Sequence, residues 1–506
     1  MMDKQAEALM QDIMFPRRTY ACISKMRAMR EDLLDFLYAA SRAEGPMKEG
    51  QRFWGRFALR HIQSWLCAQE MQEILEVETE DHSVHVEQGA LLLAQIHYPG
   101  EDLSAISSFL DDLADELKRR MQAKGITGGV PALELLSQLL FGPEASVGHK
   151  EPEDVATPRG RRSQTDTLPT LYGLKVPESG HGLGLRGESR DYYRASNSLL
   201  PCVLTHKKGI PISLAVVHAA VGRRAGLPID CIGMPMHLIN RMAVPESGEE
   251  RFIDVFRGGE LLTRQQVNSM MIALMDSVTP TFLQPLRRSD LYMRMCVNLC
   301  HIYRGGDATH EPEMLRSVLE LLLACKEVID YRRAHAAVCE EMGDYEAVRD
   351  DLEKMVPGAS TTGQFAMSLV RREQEMASES NRQIRRPKNG SVKFRVGDVM
   401  VHKRYGYRGI LYGWDTTCSA GDEWIAQMNV DALPGGRDQP FYHVLVDPED
   451  RPSQSTYVAQ ENIMLVPHQV VRLVHHPTVG RYFEGLQPGE TRYTPNAYLR
   501  FRYPDD

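Results

Sequence analysis

The stretch Lys208-Gly-Ile-Pro-Ile-Ser-Leu-Ala-Val-Val-His-Ala-Ala-Val-Gly-Arg-Arg-Ala-Gly-Leu-Pro228 carries the start, body and stop signals of one helix. Pro211 suits the first helical turn, where its fixed φ is right and its missing N–H costs nothing. From Ile212 to Val221 nearly every residue is apolar, so protein should wrap the helix on most sides. Gly226 fits the left-handed position after the last turn, and Pro228 prevents continuation. Three short β-like runs follow: Ile229-Asp-Cys-Ile-Gly233, His237-Leu-Ile-Asn-Arg-Met242 and Arg251-Phe-Ile-Asp-Val-Phe256. A buried helix feeding a small sheet predicts an α+β core.

A helix N-terminus, then a strand bearing His237, then a strand bearing Asp254 is the layout of a papain- or transglutaminase-type triad. That chemistry needs a thiol at the helix start, where the dipole lowers its pKa, a His as base and a carboxylate to fix the His tautomer. The helix opens Gly209-Ile-Pro-Ile-Ser with no cysteine, and Cys202 and Cys231 flank it as buried structural thiols. Ser213, His237 and Asp254 are therefore vestigial candidates, with no catalytic residue expected. Asp191-Tyr-Tyr, Asn197-Ser-Leu-Leu, Val203-Leu, Gly209-Ile-Pro-Ile-Ser-Leu, Gly226-Leu-Pro and Pro235-Met-His occur in order within about fifty residues. In these the stretch resembles the transglutaminase-like domain of the bacterial SirB type. Members of that family typically lack the cysteine too, so the resemblance implies the fold and argues against the activity.

At 506 residues the chain should hold two to four domains. A 42% hydrophobic and 25% charged composition is that of an ordinary globular protein. A formal charge of −9 gives no support for a chain devoted to nucleic acid or an anionic membrane. No apolar run approaches a membrane span, and Met1-Met-Asp-Lys-Gln leads into no signal-type core. Nine scattered cysteines without Cys-x-x-Cys imply neither a zinc site nor a disulfide framework, and place the chain in cytosol or nucleus. No cofactor and no metal are expected.

Residues 1–84 read as a helical N-terminal region, and the transglutaminase-like domain as 85–289, with a polar, Pro-rich, disordered insertion at 142–181. Residues 260–285 look helical, with Leu262, Val267, Met271 and Leu274 as core. Four helices then fill 290–357. Their Ala336, Gly343, Tyr345 and Pro357 resemble a tetratricopeptide helix pair. Residues 358–392 read as a linker.

From 393 to 506 short β-runs cut by Gly and Pro predict a small all-β barrel. Phe394-Arg-Val-Gly-Asp-Val, Tyr405-Gly-Tyr-Arg-Gly, Asp415, Cys418, Trp424, Gln439-Pro-Phe-Tyr-His-Val-Leu and Tyr457-Val-Ala resemble the YccV-like (HspQ-like) family, called hemimethylated-DNA-binding after bacterial relatives. Residues 391–506 hold twelve Lys and Arg against fourteen Asp and Glu, a net of −2. DNA affinity comes from neutralising phosphates, and Lys403, Arg404 and Arg408 are the only evident basic cluster. Those three, with Trp424 and Tyr442, are the binding-surface candidates, and protein is the expected partner. His402, His443, His475 and His476 lack the company of a metal site and read as core or surface histidines.

The combination resembles the F-box only protein 21 family. That resemblance implies substrate recognition for a Skp–cullin ubiquitin ligase, with client proteins, a Skp adaptor and a cullin as partners. Residues 1–50 show no Leu-Pro opening of an F-box; Phe15-Pro-Arg-Arg begins a basic helix instead. Three functions are open: a non-catalytic adaptor, a DNA-binding protein acting through 393–506, and a residual hydrolase or acyltransferase on Ser213, His237 and Asp254.

Overall fold

A computed structural model describes residues 2–29, 33–77, 85–142, 169, 174–178, 180–235, 237–244, 248–275, 283–305, 311–357, 363–451, 455–466 and 473–506. Most of the insertion expected at 142–181 lies outside the described residues. The chain divides into two compact units: Gln63–Pro357, and Met1–Ile62 together with Gly358–Asp506.

The first unit is built on the helix Pro211–Arg224, which buries every residue from Pro211 to Gly222. Each fully buried Val or Leu there contributes on the order of 1.5–3 kcal/mol relative to exposure. Gly226 takes φ +89°, the left-handed stop that the sequence predicts. An antiparallel meander follows, with strands β1 (Ile229–Met234), β2 (His237–Ala243), β3 (Glu250–Asp254) and β4 (Glu260–Leu262) in the order β1-β2-β3-β4. Asn240 on β2 donates from Nδ2 to the Ala215 carbonyl at 3.0 Å, tying sheet to helix. Helices Ser104–Ala123 and Gly129–Phe141 share one apolar core with the central helix. The helical stretch expected over 260–285 begins instead with β4. Helix Arg264–Met275 follows it, opened by Thr263 and Gln266 bonding each other.

Helices Arg288–Tyr303, Pro312–Cys325, Ile329–Met342 and Tyr345–Met355 each pack on the next. Gly343 at φ +80° ends the third helix, and the Asp344 carboxylate caps the fourth through the Ala347 N–H at 3.2 Å.

In the second unit, β5 (Val399–His402), β6 (Arg408–Asp415), β7 (Phe441–Val446), β8 (Ser455–Ala459) and β9 (Ile463–Leu465) form an antiparallel sheet in the order β8-β7-β6-β5-β9. The edge strands β8 and β9 are adjacent in sequence. Four Cα steps join Ala459 to Ile463, at most about 14 Å, whereas five flat strands span about 19 Å. The sheet therefore curls, yet among the described residues β8 and β9 exchange no ladder bonds. This corrects the expected barrel: a 3-10 turn at Gln460–Asn462 bridges the seam, and the ring stays open.

Two further expectations change. The presumed linker 358–392 contains the helix Gly363–Asn381. Beyond it Ile384 N–H donates to the Arg502 carbonyl, and Arg386 pairs with Asp506. The N-terminal helices are no separate region, because residues 1–62 pack with the sheet domain. Phe15 meets Tyr498 and Phe501 edge-on at 5.9 and 6.1 Å. Gly485 lies so close to Pro46 that a Cβ there would sit 1.8 Å from its carbonyl oxygen.

Candidate functional site

His237 opens β2, and Asp254 closes β3. The imidazole Nε2 lies 3.2 Å from Asp254 Oδ2. Asp254 is 1% exposed and His237 19%. The other carboxylate oxygen, Oδ1, accepts the N–H groups of Phe256 and Arg257 at 3.1 and 3.3 Å, capping the turn that follows the strand. Arg294 donates to the Met234 and His237 carbonyls, fixing the β1–β2 corner. Two members of the expected triad are thus together and rigidly held.

Ser213 is elsewhere in its bonding. Its buried hydroxyl donates to the Asn197 carbonyl at 2.7 Å and accepts the Ile210 N–H at 3.1 Å, the reach-back of an N-terminal capping box. His237 is not among its partners. Asn197 in turn donates to the Asp191 carbonyl at 2.7 Å, so Asp191-Tyr-Tyr and Asn197 brace the helix start. Cys202 is buried beside the Tyr98 hydroxyl at 3.0 Å, and Cys231 is buried on β1. Burial raises both thiols, Cys231 to about 12, so each is a neutral thiol rather than a thiolate.

The surface candidates of the sheet domain fare unequally. Tyr442 is 0% exposed, a correction to its place among them. Strand alternation turns it inward, where its hydroxyl accepts from the Lys393 and Phe394 N–H groups and donates to Gln460. Arg408 faces Asp447, Glu449 and Asp450, which consume its charge. Lys403 bonds the Glu461 carbonyl, and Arg404 lies over the Tyr405 ring at 5.3 Å. Trp424 is half-buried, 5.7 Å from the Tyr457 ring.

Two constellations escape the sequence reading. Asp415 and His443 pair at 3.2 Å on neighbouring strands β6 and β7. In the first unit, donor atoms of His335, Cys339 and Asp351 lie within 4.8 Å of one another, all buried. Asp351 already holds Arg332 and His335, each at 2.6 Å, so this group ties two helices together as an ion-pair network. The i, i+4 spacing of His335 and Cys339 was visible in the sequence; the approach of Asp351 was not.

Residues 178–297 match the family described as Transglutaminase-like superfamily, and 392–490 the one described as Hemimethylated DNA-binding protein YccV like. The chain is similar to F-box only protein 21. The protein of that name from Mus musculus is 31% identical over 348 residues, 64% of this chain and 53% of the relative. That from Pongo abelii is 32% identical over 341 residues, with the same coverage. A UPF0162 protein of Xylella fastidiosa (strain Temecula1 / ATCC 700964) is 30% identical over 156 residues, 29% of this chain and 54% of the relative. The chain thus spans about half the length of the curated F-box only protein 21 sequences it matches. No solved structure matches it. Among the described residues no helix is long and apolar enough to cross a membrane.

Proposed function

We propose that the chain is a non-catalytic adaptor that presents client proteins to a Skp–cullin ubiquitin ligase or a related degradation machine, in cytoplasm or nucleus. The likeness to F-box only protein 21 supports the ligase side of this reading. The observation that carries the non-catalytic side is the commitment of Ser213 to Asn197 and Ile210 while His237 and Asp254 remain paired. A serine nucleophile needs an aligned base, and this hydroxyl faces backbone instead. Affinity capture of the tagged chain from cells tests the reading: Skp adaptor and cullin should co-purify, and their absence together with turnover of acyl substrates that depends on His237 would sink it.

The second reading, DNA binding through 393–506, is favoured by the YccV-like match. The net charge of −2 and the neutralised Arg408 oppose it. Titration of hemimethylated duplex DNA at rising salt decides: steep salt dependence would mean several phosphates are neutralised, and we expect weak binding even at low salt.

A further inference from the structure

On the outer face of the curled sheet, five half-buried rings form a row. Tyr482 stacks on Tyr412 at 4.7 Å, Tyr412 meets His443 at 5.6 Å, His443 stacks on Tyr457 at 4.7 Å, and Tyr457 meets Trp424 at 5.7 Å. The sequence builds this row by cross-strand pairing. His443 and Tyr457 are directly opposed on β7 and β8, and Tyr412 sits where the β6–β7 register shifts.

Beside the row stands Asp415, 31% exposed. Its Oδ2 accepts from the Tyr457 hydroxyl at 2.7 Å, the Ser419 hydroxyl at 2.8 Å and His443 Nε2 at 3.2 Å. Oδ1 takes none of these bonds. Other carboxylates of this domain have arginine partners: Asp447 and Asp450 face Arg408, Asp422 and Asp431 face Arg437, and Glu484 faces Arg500. Among the described residues Asp415 has neither a lysine nor an arginine partner. The three donors, against the cost of partial burial, hold its carboxyl down at about 2, so it is an anion at neutral pH.

We propose that Asp415 and the ring row Tyr482, Tyr412, His443, Tyr457 and Trp424 form a binding site for lysine or arginine side chains of an extended polypeptide. A fixed carboxylate with an open oxygen supplies the ion pair, and aromatic faces supply cation–π contacts and apolar cover for the aliphatic stem. The row already holds one such contact, with the Arg481 guanidinium 5.9 Å from the Tyr482 ring centroid. Stacked rings also suit single-stranded nucleic acid, but a buttressed anion at their side repels phosphate. The inference deepens the adaptor reading by naming what the sheet domain would hold on a client.

The test is fluorescence anisotropy on the full chain with a labelled decapeptide alternating Lys or Arg with Gly and Ser. The same peptide with acetylated lysines, an acidic counterpart and single-stranded DNA serve as competitors. The basic peptide should bind, acetylation of its lysines should weaken it at least about ten-fold, and the acidic peptide and DNA should not compete. Asp415→Asn keeps the shape and an acceptor for the three donors, so the fold should persist by circular dichroism, and it should weaken binding about ten-fold. Asp330→Asn, an exposed side chain of the other unit, measures general attraction to a −9 chain and should change nothing. Equal losses in the two variants, acetylation without effect, or DNA binding in place of peptide would overturn the site. Retention of Skp adaptor and cullin by Asp415→Asn leaves the adaptor reading standing alone, whereas their failure to bind wild type, with peptide binding intact, removes that reading and keeps the site.

Discussion

The two units each carry a histidine whose Nε2 lies 3.2 Å from an aspartate Oδ2, and the pairs have opposite characters. Asp254 is 1% exposed, with backbone N–H groups on its second oxygen. Asp415 is 31% exposed beside a 38% exposed His443, with side-chain hydroxyls on Oδ2 and, among the described residues, no hydrogen bond on Oδ1. The same two-residue geometry thus serves as a rivet in one place and as a receptor in the other. What separates them is burial and the partner of the second oxygen. A paired His and Asp is therefore by itself no guide to where a chain makes its contacts.

The sharpest break between them should appear on deletion of the carboxylates. Asp254→Ala leaves part-buried N–H donors and an imidazole without their buried acceptor, and should cost about 3 kcal/mol in urea unfolding of the first unit. Asp415→Ala, where water reaches the donors, should cost about 1 kcal/mol or less. Equal losses would erase the distinction drawn here.

Buried imidazoles away from both pairs sharpen the contrast through pH. His218, on the central helix, is pushed down to about 3 by burial. It is neutral in the folded chain, while the unfolded chain takes a proton near pH 6.5. Its contribution is complete above about pH 6.5 and is lost as pH falls toward 3, by at most about 1.4 kcal/mol per pH unit. His335 has the opposite sign. Burial disfavours its charge, but the bonds to Asp351, Cys339 and Glu320 outweigh that and lift it well above its ordinary value. Its contribution is complete below about pH 6.5 and is lost as pH rises through the raised folded value. Unfolding midpoints of wild type against His218→Gln and His335→Gln across pH should therefore diverge from the wild type in opposite directions. Two flat differences would mean that neither group is linked to folding.

Much of this architecture is legible in the residues. Pro211, Gly226 and Pro228 bracket the central helix, and β1, β2 and β3 fall within a residue or two of their apolar runs, because helix punctuation and short β-rich runs are local signals. His237 and Asp254 follow from strand order. Four features were not legible, three of them for a non-local reason. Strand β9 is three residues long and makes sense only as the far edge of a sheet that curls. Tyr442 reads as a surface aromatic until alternation fixes which face of β7 is inward. Asp415 and His443 lie 28 positions apart and meet through a register that a bulge shifts. The helix Gly363–Asn381 hides in a polar stretch, ten of its nineteen residues being Ser, Glu, Arg or Gln.

A smaller effect tests Ser213 at the start of the central helix. Ser213→Ala removes the acceptor for the Ile210 N–H and the donor to the Asn197 carbonyl, and should cost about 1–2 kcal/mol, the range of a lost helix cap. Ser213→Cys should be as unstable and should stay unreactive to iodoacetamide, since a sulfur there meets the same backbone groups and not His237. A rapidly alkylated thiol whose rate depends on His237 would instead make the first pair a catalytic base awaiting its nucleophile, and the rivet reading would fall.

The smallest expected change lies in the second pair. Tyr457→Phe keeps the ring stacked on His443 and touching Trp424, and removes one of three hydrogen bonds to Asp415 Oδ2. Stability should shift by less than about 1 kcal/mol, because the carboxylate is partly solvated and water replaces the hydroxyl. The carboxyl itself should titrate higher than in wild type, since a donor that favours its anion is gone. NMR titration of the Asp415 side chain reads this directly. An unchanged titration would mean that Ser419 and His443 alone set the charge, and that Tyr457 serves the row only as a ring.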